Sequence, residues 1–280
     1  MIELIITGSS RPLLFPYCWK SFKRYIYYRK NMSVMFHEDQ VFPEESKKTI
    51  EYLKKNNIPF ETHNPPLGLS KSIDFMFKKV KSPYIFYLQD DWEFERPIDV
   101  DRLLWVMENN KNVNCIFFNK WRNLRIMNNM EHPQYTYNGV DMCLYHAWSH
   151  LPGIWRMSKI REVWDIEKIY SEGTLINRFG SHKERTDVKF CEEKIGAYTL
   201  GKSNDYRYVR HIGGDWRMEK WRLEDGKPGG CNDNNRMDYP FRAPWLPPME
   251  KRPTYKSKYN KEEIEKMLLD EPKEVHGDIE

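Results

Sequence analysis

Tyr84-Ile85-Phe86-Tyr87-Leu88 runs directly into Gln89-Asp90-Asp91-Trp92-Glu93. An apolar run of about five residues between turn residues is too short for a helix, and without polar alternation it has the pattern of a strand covered on both faces. It predicts a central strand in a mainly parallel sheet. Such sheets bind ligands beyond the carboxyl ends of their strands, so the adjacent acids at 90 and 91 fall where a ligand would sit. Carboxylates that close repel; a hard divalent cation relieves the repulsion and lets the same acids hold a diphosphate. A turn cap is the plainer alternative for both.

Outward from this run the chain alternates strand and helix. Leu4 to Thr7 reads as a first strand, followed by an aromatic, basic helix within 17–25. Val34 to His37 is a second strand, and Pro43-Glu44-Glu45 suits the start of a helix ending near Asn56. Phe60 to His63 is a short third strand, and apolar residues at 69, 73, 76 and 80 give the next helix before Pro83 stops it. Asp99 can cap a helix over about 100–109, and Val113 to Phe118 reads as a further strand. This alternation predicts an α/β, Rossmann-like fold. The second half is less regular: Met157 to Tyr170 and Asp187 to Ile195 read as helices, Gly213 to Pro248 as loop, and Lys261 to Leu269 as a short charged helix.

Composition narrows the class. With 280 residues, 40% hydrophobic and 31% charged, the chain is long enough for a large core and is neither collagen-like nor disordered. Ten Trp, 17 Tyr and 14 Phe mean that rings must build much of that core. A net charge of +4 is too balanced to demand a polyanionic partner. No apolar run exceeds about five residues, against roughly 18 to 20 for a span, so no integral membrane segment is expected. Glu3 stands where a signal peptide would carry basic residues. The five cysteines are widely spaced and lack Cys-x-x-Cys, which disfavours a disulfide scaffold or structural zinc and makes the cytoplasm the expected compartment.

Other residues carry two readings each. Arg11 follows the turn Thr7-Gly8-Ser9-Ser10, which could offer N–H groups to an anion, or it is a plain surface arginine. Glu38 and Asp39 could accept hydrogen bonds from a base or ribose, or stand as solvated turn acids. His211 follows a short strand and precedes Gly213-Gly214; it is a metal ligand or a structural histidine. Asp187 is a helix N-cap or a general base, and as a base it would need partial burial, because a helix N-terminus lowers carboxylate basicity.

Taken in order, these pieces resemble the GT-A-type nucleotide-sugar glycosyltransferases, most closely the family-2-like group, over residues 1 to 215. Ile5-Ile6-Thr7 with Ser9 and Arg11-Pro12 looks like that family's first strand and nucleotide-contacting loop, and Val34 to Asp39 like the second strand, with Glu38 on the nucleoside. Asn64 with Gly68 to Asp74 is similar to its Asn-x-Gly helix start, Asp74 standing where asparagine is usual. Gln89-Asp90-Asp91 looks like the Asp-x-Asp motif, whose first residue touches ribose and whose last binds metal; Gln89 replaces the first acid, which leaves it a ribose contact and no metal ligand. Leu151 to Arg156, including Gly153 and Trp155, resembles the glycine loop beside the acceptor. Thr186-Asp187 matches the Glu-Asp pair with its glutamate missing, and His211 matches the histidine that completes the metal site.

The resemblance implies a GT-A domain over 1–215, with a loop-rich extension over 216–280 packing on it. It also implies a nucleotide-sugar donor, with UDP the expected nucleotide, and Mn²⁺ or Mg²⁺ held by Asp91 and His211. Thr7, Ser9, Arg11, Glu38, Asp74, Gln89 and Asp90 would lie around the donor, and Asp187 would be the base of an inverting transfer. The acceptor is expected to be a soluble glycan or DNA with a hydroxylated base. Cations interleave with rings in Trp19 to Lys30 and in Lys120 to Arg125, and Trp155 could stack on a flipped base. Two other classes compete: a nucleotidyltransferase, disfavoured by the lack of a Gly-rich phosphate loop with its lysine, and a non-catalytic nucleic-acid-binding module.

Overall fold

Strand β1 (Ile2–Gly8) lies between β3 (Ser33–Asp39) and β5 (Tyr84–Gln89), parallel to both. The computed structural model describes residues 1–119, 133–166, 178, 180–181, 184–202 and 207–212. Met1–Ile212 form one unit; residues 216–280, the helix expected over 261–269, the loop expected over 213–248 and the Lys120 to Arg125 segment lie outside the described residues. Around β1 the further strands are β4 (Phe60–His63), β8 (Cys115–Phe118), β9 (Gln134–Tyr137), β10 (Val140–Tyr145), β11 (Gly153–Arg156) and β12 (Ala197–Leu200), in the order β4-β3-β1-β5-β11-β8-β12-β10-β9. Two small pairs flank this sheet: β2 (Ile26–Tyr27) with β7 (Ile98–Asp99), and β6 (Trp92–Phe94) with β13 (Val209–His211).

The helices form where the sequence supplies their ends. Helix α1 (Phe15–Tyr25) has proline in its first turn and Lys23 and Arg24 in its last; α2 (Pro43–Lys55) has Glu44 and Glu45 first and Lys54 and Lys55 last, each complementing the helix dipole. Helix α3 (Leu69–Lys79) starts after Gly68, whose φ of 79° is open to glycine at no cost. Asp99 caps α4 (Val100–Asn109) by accepting the Arg102 N–H at 3.0 Å. Helix α5 is Met157–Val163, shorter than the expected helix, whose last residues lie outside the described set.

One expected element is corrected. Gly153 to Arg156 is a fully paired strand, antiparallel to both β5 and β8, rather than a loop beside an acceptor. Gly153 is there for packing, since a Cβ would come within 2.5 Å of the Ile116 carbonyl oxygen. Trp155 is completely buried, its ring 4.5 Å from Tyr87 and 5.8 Å from Trp148 between centroids. A ring with no exposed face cannot stack on an acceptor base. Its role is core, with Phe22, Phe86, Phe94 and Phe118 forming a second ring cluster on this sheet.

His37 sets an acid limit on this fold. It is fully buried in β3, its Nε2 2.7 Å from His63 Nδ1. Burial lowers its pKa from 6.5 to about 4, with Asp39 and Glu61 pulling it up and His63 and Lys79 pushing it down. The neutral imidazole is the folded form, so its contribution is present above pH 6.5 and lost as pH falls through 4. His37→Gln is expected to flatten the acid limb of stability by about 2 to 3 kcal/mol, measured by urea unfolding across that range. Parallel limbs in both proteins would show that charging His37 carries no penalty.

Candidate functional site

The parallel register places the carboxyl ends of β1, β3 and β5 side by side: Gly8 lies opposite Glu38, and Thr7 opposite Gln89. The chain leaving β5 is tied down at once, since the Asp90 N–H donates to the Thr7 carbonyl at 3.0 Å. This turns both acids inward, and Asp90 and Asp91 are completely buried.

Arg11 lies against them. Its Nε donates to Asp90 Oδ2 at 3.2 Å, its Nη2 lies 2.5 Å from Asp90 Oδ1, and its Nη1 bonds Asp91 Oδ2. The Ser9 N–H adds a bond to Asp90 Oδ2 at 3.2 Å. Burial alone would lower the Arg11 pKa, but Asp90, Asp91 and Glu38 outweigh it and raise it. Burial raises the Asp90 carboxyl above the usual range; Arg11 opposes the shift and Asp91 reinforces it. The guanidinium therefore stays charged and the acid pair is partly neutralised.

Beside this lies a second polar cluster. The Ser10 N–H donates to Glu38 Oε1 at 2.8 Å, the Ser46 hydroxyl to the same oxygen at 2.6 Å, and the two serine hydroxyls are 2.8 Å apart. Ser10 adopts a left-handed φ of 55°, which aims its N–H back at β3. Burial pushes the Glu38 pKa up to about 8 against the pull of Ser46 and Ser10. Asp39 accepts the Leu67 and Gly68 N–H groups at 2.7 and 2.8 Å, fixing the loop that starts α3. Ser10 belongs to the turn expected to offer N–H groups to an anion, and its N–H goes to Glu38 instead; Ser46 was not among the sequence candidates, its only local signal being its place early in a helix.

His211 is delivered by β13. It pairs with Trp92, and its Nε2 stands 3.1 Å from Asp91 Oδ2, with the Ile212 N–H on the Asp91 carbonyl at 2.9 Å. Ion pairs hold this strand in register: Arg210 to Glu93, and Arg207 to Glu95 with Nε at 2.6 Å and Nη2 at 2.9 Å. Nothing local in the sequence pointed to these pairs.

Thr7, Ser9, Arg11, Glu38, Gln89, Asp90, Asp91 and His211 thus gather at one sheet edge. Gln89 turns its amide to the Tyr87 hydroxyl at 3.0 Å. Asp74 is elsewhere in its contacts, accepting Trp164 Nε1–H at 3.1 Å and pairing with Lys78. Asp187 is exposed and caps the short helix Val188–Phe190, accepting the Phe190 N–H at 2.9 Å. It lines an open groove of about 580 Å³ with Glu184, Lys189, Phe190, Glu193 and Lys194.

Among the described residues no three His, Cys, Asp or Glu side chains form a ready metal cage. Asp91 and His211 do fit a cation that takes its other ligands from a substrate. A buried carboxylate and a part-exposed imidazole already meet at one point, and oxygen with borderline nitrogen suits Mn²⁺. No helix among the described residues is long and apolar enough to cross a membrane.

No protein-family model and no curated protein matches the chain. Solved structures do. S. aureus TarS residues 1–349 superposes with a TM-score of 0.50 at 10% identity, over 79% of this chain and 63% of that one. The mannosyltransferase PcManGT from Pyrobaculum calidifontis, in complex with GDP-Man and Mn²⁺, gives a TM-score of 0.47 at 8% identity, over 81% and 65%. This chain therefore spans less than two thirds of either. A large mixed sheet, mainly parallel in its first half and flanked by helices, gives the chain a GT-A-like fold.

Proposed function

We propose that the protein is a metal-dependent glycosyltransferase that moves a sugar from a nucleoside-diphosphate sugar to an acceptor hydroxyl. The observation that carries this reading is the meeting of buried Arg11, Asp90 and Asp91 with the part-exposed His211 at the carboxyl ends of the strands of a GT-A-like sheet. Asp91 and His211 would hold Mn²⁺ or Mg²⁺, which supplies Lewis-acid stabilisation of the departing diphosphate. Arg11 places positive charge beside the same position. Glu38, whose carboxyl burial pushes up and whose Oε1 is held by Ser10 and Ser46, is the proposed contact to the nucleoside. UDP is the proposed nucleotide.

Asp187 is the proposed base of an inverting transfer, on its match to the family motif: it would take the acceptor hydroxyl proton as the sugar moves, after releasing the Phe190 N–H and with the bound acceptor covering a carboxylate that is exposed in the free protein. A hydroxyl-bearing glycan is the proposed acceptor. DNA loses one of its supports, because Trp155 is buried in the core.

A thermal-shift screen of UDP-, GDP-, ADP- and dTDP-sugars with and without Mn²⁺ tests the donor. One nucleotide sugar at 100 times its Kd is expected to add about 2.7 kcal/mol of stability, in the presence of metal only. No shift with any of them would remove the reading. Mass spectrometry of products separates sugar from nucleotidyl transfer.

A further inference from the structure

Arg11 occupies the charge position that a cation would need. Three of its nitrogens are committed to Asp90 and Asp91, and Asp91 Oδ2, the oxygen it bonds, is the same one that meets His211 Nε2 at 3.1 Å. Both carboxylates are buried, and without a positive partner two adjacent charges there would be strongly disfavoured. The protein thus carries its own counter-ion. That counter-ion also competes: a divalent ion on Asp91 and a guanidinium on the same oxygen repel each other in a site shielded from water. Arg11 is buried, its side chain 10% exposed, so leaving Asp91 requires that side chain to rotate out of the cluster as the donor enters.

We infer that Arg11 is an exchangeable counter-ion, which leaves Asp91 for the diphosphate when donor binds, so that metal and nucleotide bind as a coupled pair and metal alone binds poorly. This rests on the donor reading above. The diphosphate brings the negative charge that the guanidinium needs once Asp91 is taken, and bidentate recognition of phosphate oxygens is what a guanidinium does well.

The test is Mn²⁺ binding followed by electron paramagnetic resonance, corrected for Mn²⁺–nucleotide complexes in solution, without nucleotide and with UDP or GDP. The wild type is expected to bind Mn²⁺ at least roughly tenfold tighter with one of the nucleotides than without. Arg11→Met is expected to bind Mn²⁺ alone at least roughly tenfold tighter than the wild type and to lose most of the coupling. Arg11→Lys, which keeps the charge and loses the fork, should fall between, and it decides the question if the Met variant does not fold. Equal Mn²⁺ affinity of wild type and variants without nucleotide overturns the inference. A wild type that binds Mn²⁺ and nucleotide independently overturns the exchange and leaves the donor reading standing. No Mn²⁺ binding by any of the proteins with either nucleotide overturns both.

Discussion

Asp91→Asn is expected to lower sugar transfer by roughly 10³-fold or more and to abolish metal-dependent donor binding with it. A ligand carboxylate that fixes the metal against a leaving diphosphate accounts for several kcal/mol of transition-state stabilisation, and each 1.4 kcal/mol is about tenfold in rate. Folding should survive the change, because Arg11 keeps both of its contacts to Asp90. The measurement is release of nucleoside diphosphate from the donor found by thermal shift, beside a thermal melt of the variant. Full wild-type activity in EDTA would sink the metal reading outright, and a variant that fails to melt cooperatively would make Asp91 a structural residue first.

Arg11→Met should give the largest loss of stability of any single change at the site, about 3 to 5 kcal/mol, because it leaves two buried carboxylates without their cation. The expectation concerns breaking the cluster, since a buried ionic group replaced as a whole by apolar residues is often neutral. Urea unfolding at neutral pH measures it. The double variant Arg11→Met with Asp91→Asn should recover part of the loss, as one of the orphaned charges is gone. A cost below about 1 kcal/mol for Arg11→Met would mean that the acids are not held charged in the folded protein.

These two residues divide what could be read along the chain from what could not. Asp91 was visible because a continuous apolar run ended in a turn of acids, and strand ends are where α/β sheets bind ligands. Arg11 read equally well as a surface arginine, since its partners stand 79 and 80 positions away and only the pairing of β1 with β5 brings them together. Ser46 and the Glu93–Arg210 and Glu95–Arg207 pairs were missed for the same reason. Trp155 erred in the other direction: its motif matched, but burial, which a motif does not contain, put its ring into the core, while Asp74, where the family's asparagine is replaced, bonds Trp164.

The sequence by itself determined the alternation of β1, β3, β4, β5 and β8 with the helices α1 to α4, because apolar runs, helix periodicity, prolines and capping acids act over a few residues, while the short strands β2, β6 and β7 were not legible in it. It also determined that rings would fill the core. Tertiary structure alone decided that Gly153–Arg156 enters the sheet antiparallel between β5 and β8, and that Arg11, Asp91 and His211 share one carboxylate oxygen. Those outcomes depend on register and on burial between segments up to 120 positions apart, where the free energy of a contact is set by its partner and by the water it excludes.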